Sequence, residues 1–274
     1  MKLRAYAKVN LILKVLGKKE NGYHLLQMLN GKIDIYDEIE ITKNSFQYDI
    51  LKYKNSTLDE TKDDLVLKCM NEIKQRYNIK DNFNVVITKN IPIGAGLGGG
   101  SSDAACVVKY LLNLYNIEYN KEEIINMMVE YGADIPYCLE NSLSIVEGIG
   151  EKIININNLE ISDFILINPN IYISTKEVFK KTSNYSLPYL KNELIEKVEK
   201  EGYFAFSNDL EDAAYLICDE LKSFKENLNT VGYSVMSGSG STFLVFSENI
   251  NAACEKLKIM YPSFLIKKVK IIKE

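Results

Sequence analysis

Between Ile93 and Asp103 the chain reads Ile-Gly-Ala-Gly-Leu-Gly-Gly-Gly-Ser-Ser-Asp, so five of its fifteen glycines fall within positions 94–100. Glycine costs about 0.5–1 kcal/mol relative to alanine inside a regular element, so this density needs a reason beyond turning the chain. The reason is a backbone that must take positive φ, or must let a ligand approach main-chain atoms. A β-rich run, Phe83–Thr88, comes before. A helical stripe of Ala104, Val107, Val108, Leu111, Leu112 and Tyr115 follows. Strand, glycine turn and helix together make an anion site, because the first N–H groups of a helix lack partners and carry partial positive charge. Ser101 and Ser102 add hydroxyl donors at that end. The run is read as a phosphate cradle.

Gly94, Gly96 and Gly99 match the dinucleotide pattern GxGxxG, but that unit also needs a strand ending in an acid about 20 residues on. Here helix and turn follow instead. No Gly-Lys-Ser/Thr closes the loop, which excludes the Walker form, and no His-Arg-Asp or Asp-Phe-Gly marks a protein kinase. A non-Walker phosphate loop remains.

The rest of the chain narrows the function classes. A single histidine, His24, excludes an HExxH zinc site and leaves a Ser-His-Asp hydrolase only that residue. The five cysteines are odd in number, widely spaced and without a CxxC, as expected of buried thiols in a reducing compartment. The net charge of −4 lacks the basic footprint of a nucleic-acid binder. No apolar run approaches the ~20 residues of a membrane span, and the opening residues lack the apolar core of a secretory signal. A cytoplasmic protein with no nucleic-acid or membrane partner is expected.

Along the chain, Ala5–Val15 reads as a strand, Lys18–Gly22 as a turn, and Leu25–Leu29 and Ile33–Ile41 as further strands. Asn44–Asp63 is polar and irregular. Leu65–Tyr77 carries apolar residues at steps of four, and Asn120 followed by Glu123 opens a second helix that stops at Gly132. After Glu151, short strands (164–167, 171–173, 234–236, 242–246, 264–269) alternate with helices (190–201, 210–224, 250–260).

The segment 93–105 resembles the phosphate loop of the GHMP kinases, which phosphorylate small-molecule alcohols and related groups. Three other segments agree in order: Ala7-Lys8-Val9-Asn10-Leu11 with Asn21-Gly22-Tyr23-His24-Leu25; Gly132-Ala133-Asp134-Ile135-Pro136; and Met236-Ser237-Gly238-Ser239-Gly240. Weaker support comes from 174–179 and 206–211. The triple glycine and the Gly-Tyr-His pair are similar to the branch that acts on a cytidine diphosphate-linked alcohol.

The resemblance implies an α+β, two-domain GHMP kinase fold: an N-terminal α+β ATP-binding domain with a left-handed β-α-β unit, expected at 1–155, and a C-terminal α/β-sandwich domain, expected at 156–274. The active site would lie in the interdomain cleft. The implied activity is ATP-dependent phosphorylation of the substrate's 2-hydroxyl in isoprenoid synthesis. ATP would enter as Mg-ATP, with no protein metal ligand assigned. The chain would act as a monomer or weak homodimer.

The resemblance also supplies roles. Asp134 is the expected base and Lys8 its partner; an isolated Gly-Ala-Asp would otherwise be an ordinary helix cap, and a strand lysine a solvated one. Pro92, Gly94, Ala95, Gly96, Leu97, Gly98, Gly99, Gly100, Ser101 and Ser102 would hold the nucleotide. Lys89, with Asn90 and Asp64-Leu65, is a candidate for the adenine side. Asn10, Tyr23, His24, Thr175, Phe179, Gly238 and Ser239 would bind the cytidine substrate. Asp103 is read as structural. Asp64, Ser239 and Tyr137 stand where the family more often has asparagine, threonine and phenylalanine.

Overall fold

The computed structural model describes residues 1–58, 63–140 and 143–272. In chain order its elements are β1 (Lys2–Lys18), β2 (His24–Asn44), β3 (Ile50–Lys54), α1 (Leu65–Arg76), β4 (Asn82–Thr88), α2 (Gly99–Leu114), α3 (Lys121–Val129), α4 (Ile135–Leu139), β5 (Ser144–Gly148), β6 (Lys152–Asn155), β7 (Phe164–Asn168), α5 (Thr175–Lys181), α6 (Lys191–Glu201), β8 (Ser207–Asn208), α7 (Glu211–Tyr215), α8 (Glu220–Leu228), β9 (Tyr233–Met236), β10 (Phe243–Phe246), α9 (Ile250–Met260) and β11 (Leu265–Val269).

The chain forms two compact units that are interleaved in sequence. One comprises Met1–Lys8, Ile35–Ile91 and Gly98–Asn141; the other comprises Val9–Asp34, Pro92–Leu97 and Ser142–Glu274. The expected boundary at 155/156 is linear, and the units do not follow it. Strands of 17 and 21 residues run about 55–70 Å, too far for one small unit, so β1 and β2 each pass from one into the other.

In the first unit β3, β4 and β2 lie side by side, β3 parallel to β4 and β2 antiparallel to it. With α1 between them, β3 and β4 form a β-α-β unit. The core closes where α1 and α2 bury Val66, Cys69, Met70, Ile73, Val107, Val108 and Leu111 against Phe83, Val85 and Ile87. In β2 the inward register is Ile33, Ile35, Asp37, Ile39 and Ile41, so an acid occupies an apolar row with no exposed surface.

In the second unit β11-β7-β10-β9 form an antiparallel sheet. Its buried Phe246 stacks on Tyr203 and meets Phe164 and Phe206 at tilted angles, and Phe224 of α8 meets Phe243 edge-on. The inner ends of β1 and β2 belong here too. Ile12 and Leu13 pair with β8, and Leu26–Asn30 with β5, which pairs with β6.

Candidate functional site

In the first unit, β1 carries Lys8 inward, its side chain 4% exposed, with Nζ 3.2 Å from Oδ1 of Asp134. Asp134 stands immediately before α4, after a tight turn closed by Ile135 N–H donating to the Gly132 carbonyl, with Pro136 in the helix's first turn. An ordinary cap carboxylate accepts an N–H of the helix it precedes. That of Asp134 makes no such bond and turns to Lys8, and its side chain is 35% exposed.

α2 starts at Gly99, five residues before the expected Ala104, after Gly98 in the left-handed region at φ +64°. Its first helical bond runs from Ser102 N–H to the Gly98 carbonyl, 2.8 Å. The N–H groups of Gly99, Gly100 and Ser101 therefore precede the helical ladder, where an anion is favoured. A methyl at Gly98 would stand 2.8 Å from Lys8 Cγ, so the lysine chain runs directly against the loop. Ser101 is partly exposed. The Ser102 hydroxyl, expected to meet phosphate, instead donates to the Tyr6 carbonyl at 2.7 Å and lies 3.2 Å from Cys138 Sγ, tying α2 to β1 and α4.

Lys89, expected on the adenine side, is buried beneath the loop, with Nζ 2.5 Å from Asp37 Oδ2 and 2.6 Å from Asp103 Oδ2. The reason is electrostatic, since two buried carboxylates enclose its ammonium. Asp64 caps α1, accepting from Val66 N–H at 2.8 Å and from the Tyr53 hydroxyl at 2.7 Å.

In the second unit lies the other half of the glycine run. Gly94 and Gly96 take φ of +66° and +75°, the neighbouring Ala95 and Leu97 are buried, and Pro92 is partly buried. Gly96 packs on the second glycine turn: Ser237 Oγ donates to its carbonyl, and a Cβ there would lie 2.2 Å from the Ser237 carbonyl oxygen. Asn208 Nδ2 donates at 2.7 Å to the carbonyls of both Met236 and Gly238, which gives the weak motif at 206–211 a definite structural job. Thr175, the first residue of α5, has Oγ1 2.7 Å from Ser239 Oγ. Asn10 is buried, its backbone N–H donating to Ser237 Oγ and its Nδ2 to Asn30 Oδ1, so its amide also braces β1. His24 opens β2 and faces Phe179, ring centroids 5.1 Å apart and planes at 31°, while the neighbouring Tyr23 is half-exposed. Burial, and then Lys18, lower the imidazole pKa, keeping His24 neutral at neutral pH.

The structure thus gathers Lys8, Asp134, Lys89 and Gly98–Ser102 in one unit, and Asn10, Gly94–Leu97, Thr175, Gly238 and Ser239 in the other, together with the His24–Phe179 pair. Sequence reasoning missed Asp37. The available signal was an acid in the inward register of β2. No group of three or more His, Cys, Asp or Glu able to hold a metal ion occurs among the described residues. No described helix is long and apolar enough to cross a membrane.

Residues 64–141 match the family model of the GHMP kinases N terminal domain. The chain is 36% identical over 279 residues to a 4-diphosphocytidyl-2-C-methyl-D-erythritol kinase of Clostridium botulinum (strain Alaska E43 / Type E3), covering 97% of this chain and 99% of that protein. It is 34% identical to the enzyme of that name from Clostridium beijerinckii, covering 92% of this chain and 93% of the relative. A crystal structure of 4-(cytidine 5'-diphospho)-2C-methyl-D-erythritol kinase superposes with a TM-score of 0.78 at 25% identity, covering 98% of this chain and 99% of that one. A crystal structure of L. major mevalonate kinase in complex with R-mevalonate shares the fold at a TM-score of 0.70 and 17% identity, covering 100% of this chain and 96% of that one.

Proposed function

The chain belongs to the 4-diphosphocytidyl-2-C-methyl-D-erythritol kinase family, and on that premise we propose that it transfers the γ-phosphoryl group of ATP to the 2-hydroxyl of 4-diphosphocytidyl-2-C-methyl-D-erythritol, giving the 2-phosphate and ADP. The observation that carries this reading is the 3.2 Å Lys8–Asp134 pair, whose lysine chain runs against the glycine at the start of α2. Transfer needs an oxygen nucleophile in line with the γ-phosphorus, a way to take its proton, and neutralisation of charge on the transferring group. The substrate oxygen bonds to phosphorus as the bond to the β,γ-bridging oxygen breaks and ADP departs. The hydroxyl proton passes to the Asp134 carboxylate. The Lys8 ammonium, 3.2 Å from Asp134, orients the carboxylate and offsets charge as it develops.

The N–H groups of Gly99–Ser101 and the backbone of 94–98 cradle the nucleotide phosphates. Magnesium enters as Mg-ATP, held by phosphate and water oxygens, a common arrangement for that ion. Tyr23, His24 and Phe179 hold the cytosine, with neutral His24 reading its edge. Asn10, Thr175, Gly238 and Ser239 attend the rest of the substrate.

Two measurements test the substrate side. His24→Ala raises KM for the cytidine substrate by ~10-fold, as expected for a lost aromatic contact and hydrogen bond, and leaves KM for ATP near wild type. Equal effects on both would assign His24 to loop support. In the wild type, KM for the cytidine substrate also rises on acidification only below the ordinary histidine range, because the folded-state pKa is lowered. The alanine variant loses that inflection.

A further inference from the structure

Three charged side chains are shut away from solvent under the start of α2. Asp37, Lys89 and Asp103 are 0%, 5% and 1% exposed. The Lys89 ammonium joins the two acids, at 2.5 and 2.6 Å. The other oxygen of Asp37 accepts the N–H groups of Asn90 and Ile91, at 2.5 and 2.8 Å. A Cβ on Gly99 would stand 3.1 Å from Ile91 Cγ2 and 3.4 Å from Lys89 Nζ, so the helix start rests on this cluster. Lys89 and Asn90 lead into the glycine run, and Asp103 lies in the first helical turn after it. The cluster therefore ties the two ends of the run to one point on β2.

Stability alone does not account for it. Burying ions costs several kcal/mol each, and a well-packed apolar replacement is often no less stable. We propose that Asp37, Lys89 and Asp103 are positioning residues for the nucleotide-phosphate site, fixing the direction in which the N–H groups of Gly99–Ser101 point. The inference rests on the phosphate-cradle reading of residues 94–102.

The charge state suits that task. Burial pushes Asp103 up to about 8, with Lys89 opposing and Asp37 adding to the rise. Burial works to lower Lys89, but Asp103 and Asp37 outweigh it and hold the ammonium above the ordinary lysine value. The Lys89 ammonium lies 2.6 Å from Asp103 and offsets its charge, so an acid in the first turn of α2 need not repel phosphate.

The test uses the full chain, free of nucleotide, with Lys89→Met, Asp103→Leu and Asp103→Asn. Amide hydrogen exchange is read at residues 94–102, and binding of trinitrophenyl-ATP is read by fluorescence. Lys89→Met and Asp103→Leu should speed exchange in the loop and weaken the analogue by ~10-fold or more, the scale expected when binding groups are misplaced. Asp103→Asn, which still offers an oxygen to Lys89, should restore both towards wild type. Unchanged loop exchange in Asp103→Leu would overturn the proposal. So would lost analogue binding with unchanged exchange in Lys89→Met, which would make that lysine a direct nucleotide contact. Should Lys89→Met fail to fold, Asp103→Leu carries the test, because it leaves the Lys89–Asp37 pair in place. If the wild type itself does not bind the analogue, the phosphate-cradle reading fails, whereas the exchange comparison still tests the clamp.

Discussion

Asp134→Asn lowers kcat by ~10²-fold or more, the usual worth of a positioned general base. KM for ATP and for the cytidine substrate stays near wild type, because the amide keeps the size of the carboxylate while losing its charge and basicity. Lys8→Met produces a loss of similar size. The double variant is scarcely worse than either single one, since groups acting as a unit do not add. The two differ in stability. Lys8 is enclosed, whereas the Asp134 side chain is about a third exposed, at 35%. Removing the acid deprives a buried ammonium of a partner, while removing the lysine leaves a carboxylate that water can reach. Asp134→Asn should therefore melt lower than Lys8→Met. Steady-state kinetics with both substrates, alongside thermal melting, checks each part. Turnover near wild type in both single variants would remove the pair from the mechanism.

Gly96→Ala has the second large effect. The residue sits at φ +75°, where a side chain costs roughly 1–2 kcal/mol. The larger problem is contact, because the new Cβ would lie 2.2 Å from the Ser237 carbonyl oxygen and 3.2 Å from that of Gly240. Both obstacles are backbone, so no rotamer relieves them and the two glycine turns must separate. A shift near 1 Å in a reacting site can lower the rate by about 10²-fold, and kcat/KM should fall on that order. Gly17→Ala is the control: its Cβ meets nothing within 4 Å and its backbone is not in the left-handed region, so its kinetics should match wild type.

Much of the fold was legible where periodicity was strong. The stripe from Leu65 and the run at 250–260 became α1 and α9, and the alternation after Ile33 became the outer part of β2. Other features were hidden for identifiable reasons. β3 is the five-residue Ile-Leu-Lys-Tyr-Lys, with little alternation and paired on one side by β4. β2 reads as two strands because Gly31 interrupts it, yet the strand runs through that glycine, over which the end of the Ile271 side chain packs. α2 begins inside the glycine run, where intrinsic propensity argues against helix and the packing of its first turn overrides it. Residues 171–173, expected as a strand, are irregular, and the helix expected at 210–224 divides into α7 and α8. The irregular segment Asn44–Asp63 includes 59–62, which lie outside the described residues.

The site was legible in a different way. No local pattern joins residue 8 to residue 134; only similarity of motifs suggested the pair. Local chemistry did suggest a phosphate cradle at the glycine run. It could not reveal that the Ser102 hydroxyl and the Lys89 ammonium turn inward, because that depends on Tyr6 and Asp37, which are far away in sequence. Asp37 was visible only as an acid in an apolar row.

On the proposed function, this chain phosphorylates one hydroxyl of a cytidine diphosphate-linked alcohol at the expense of ATP. Incubating the protein with Mg-ATP and 4-diphosphocytidyl-2-C-methyl-D-erythritol, followed by mass spectrometry, tests it most directly. A product carrying one added phosphate is expected, formed with an equal amount of ADP, and almost none with Asp134→Asn. An unaltered substrate, while mevalonate or homoserine gains the phosphate under the same conditions, would contradict it.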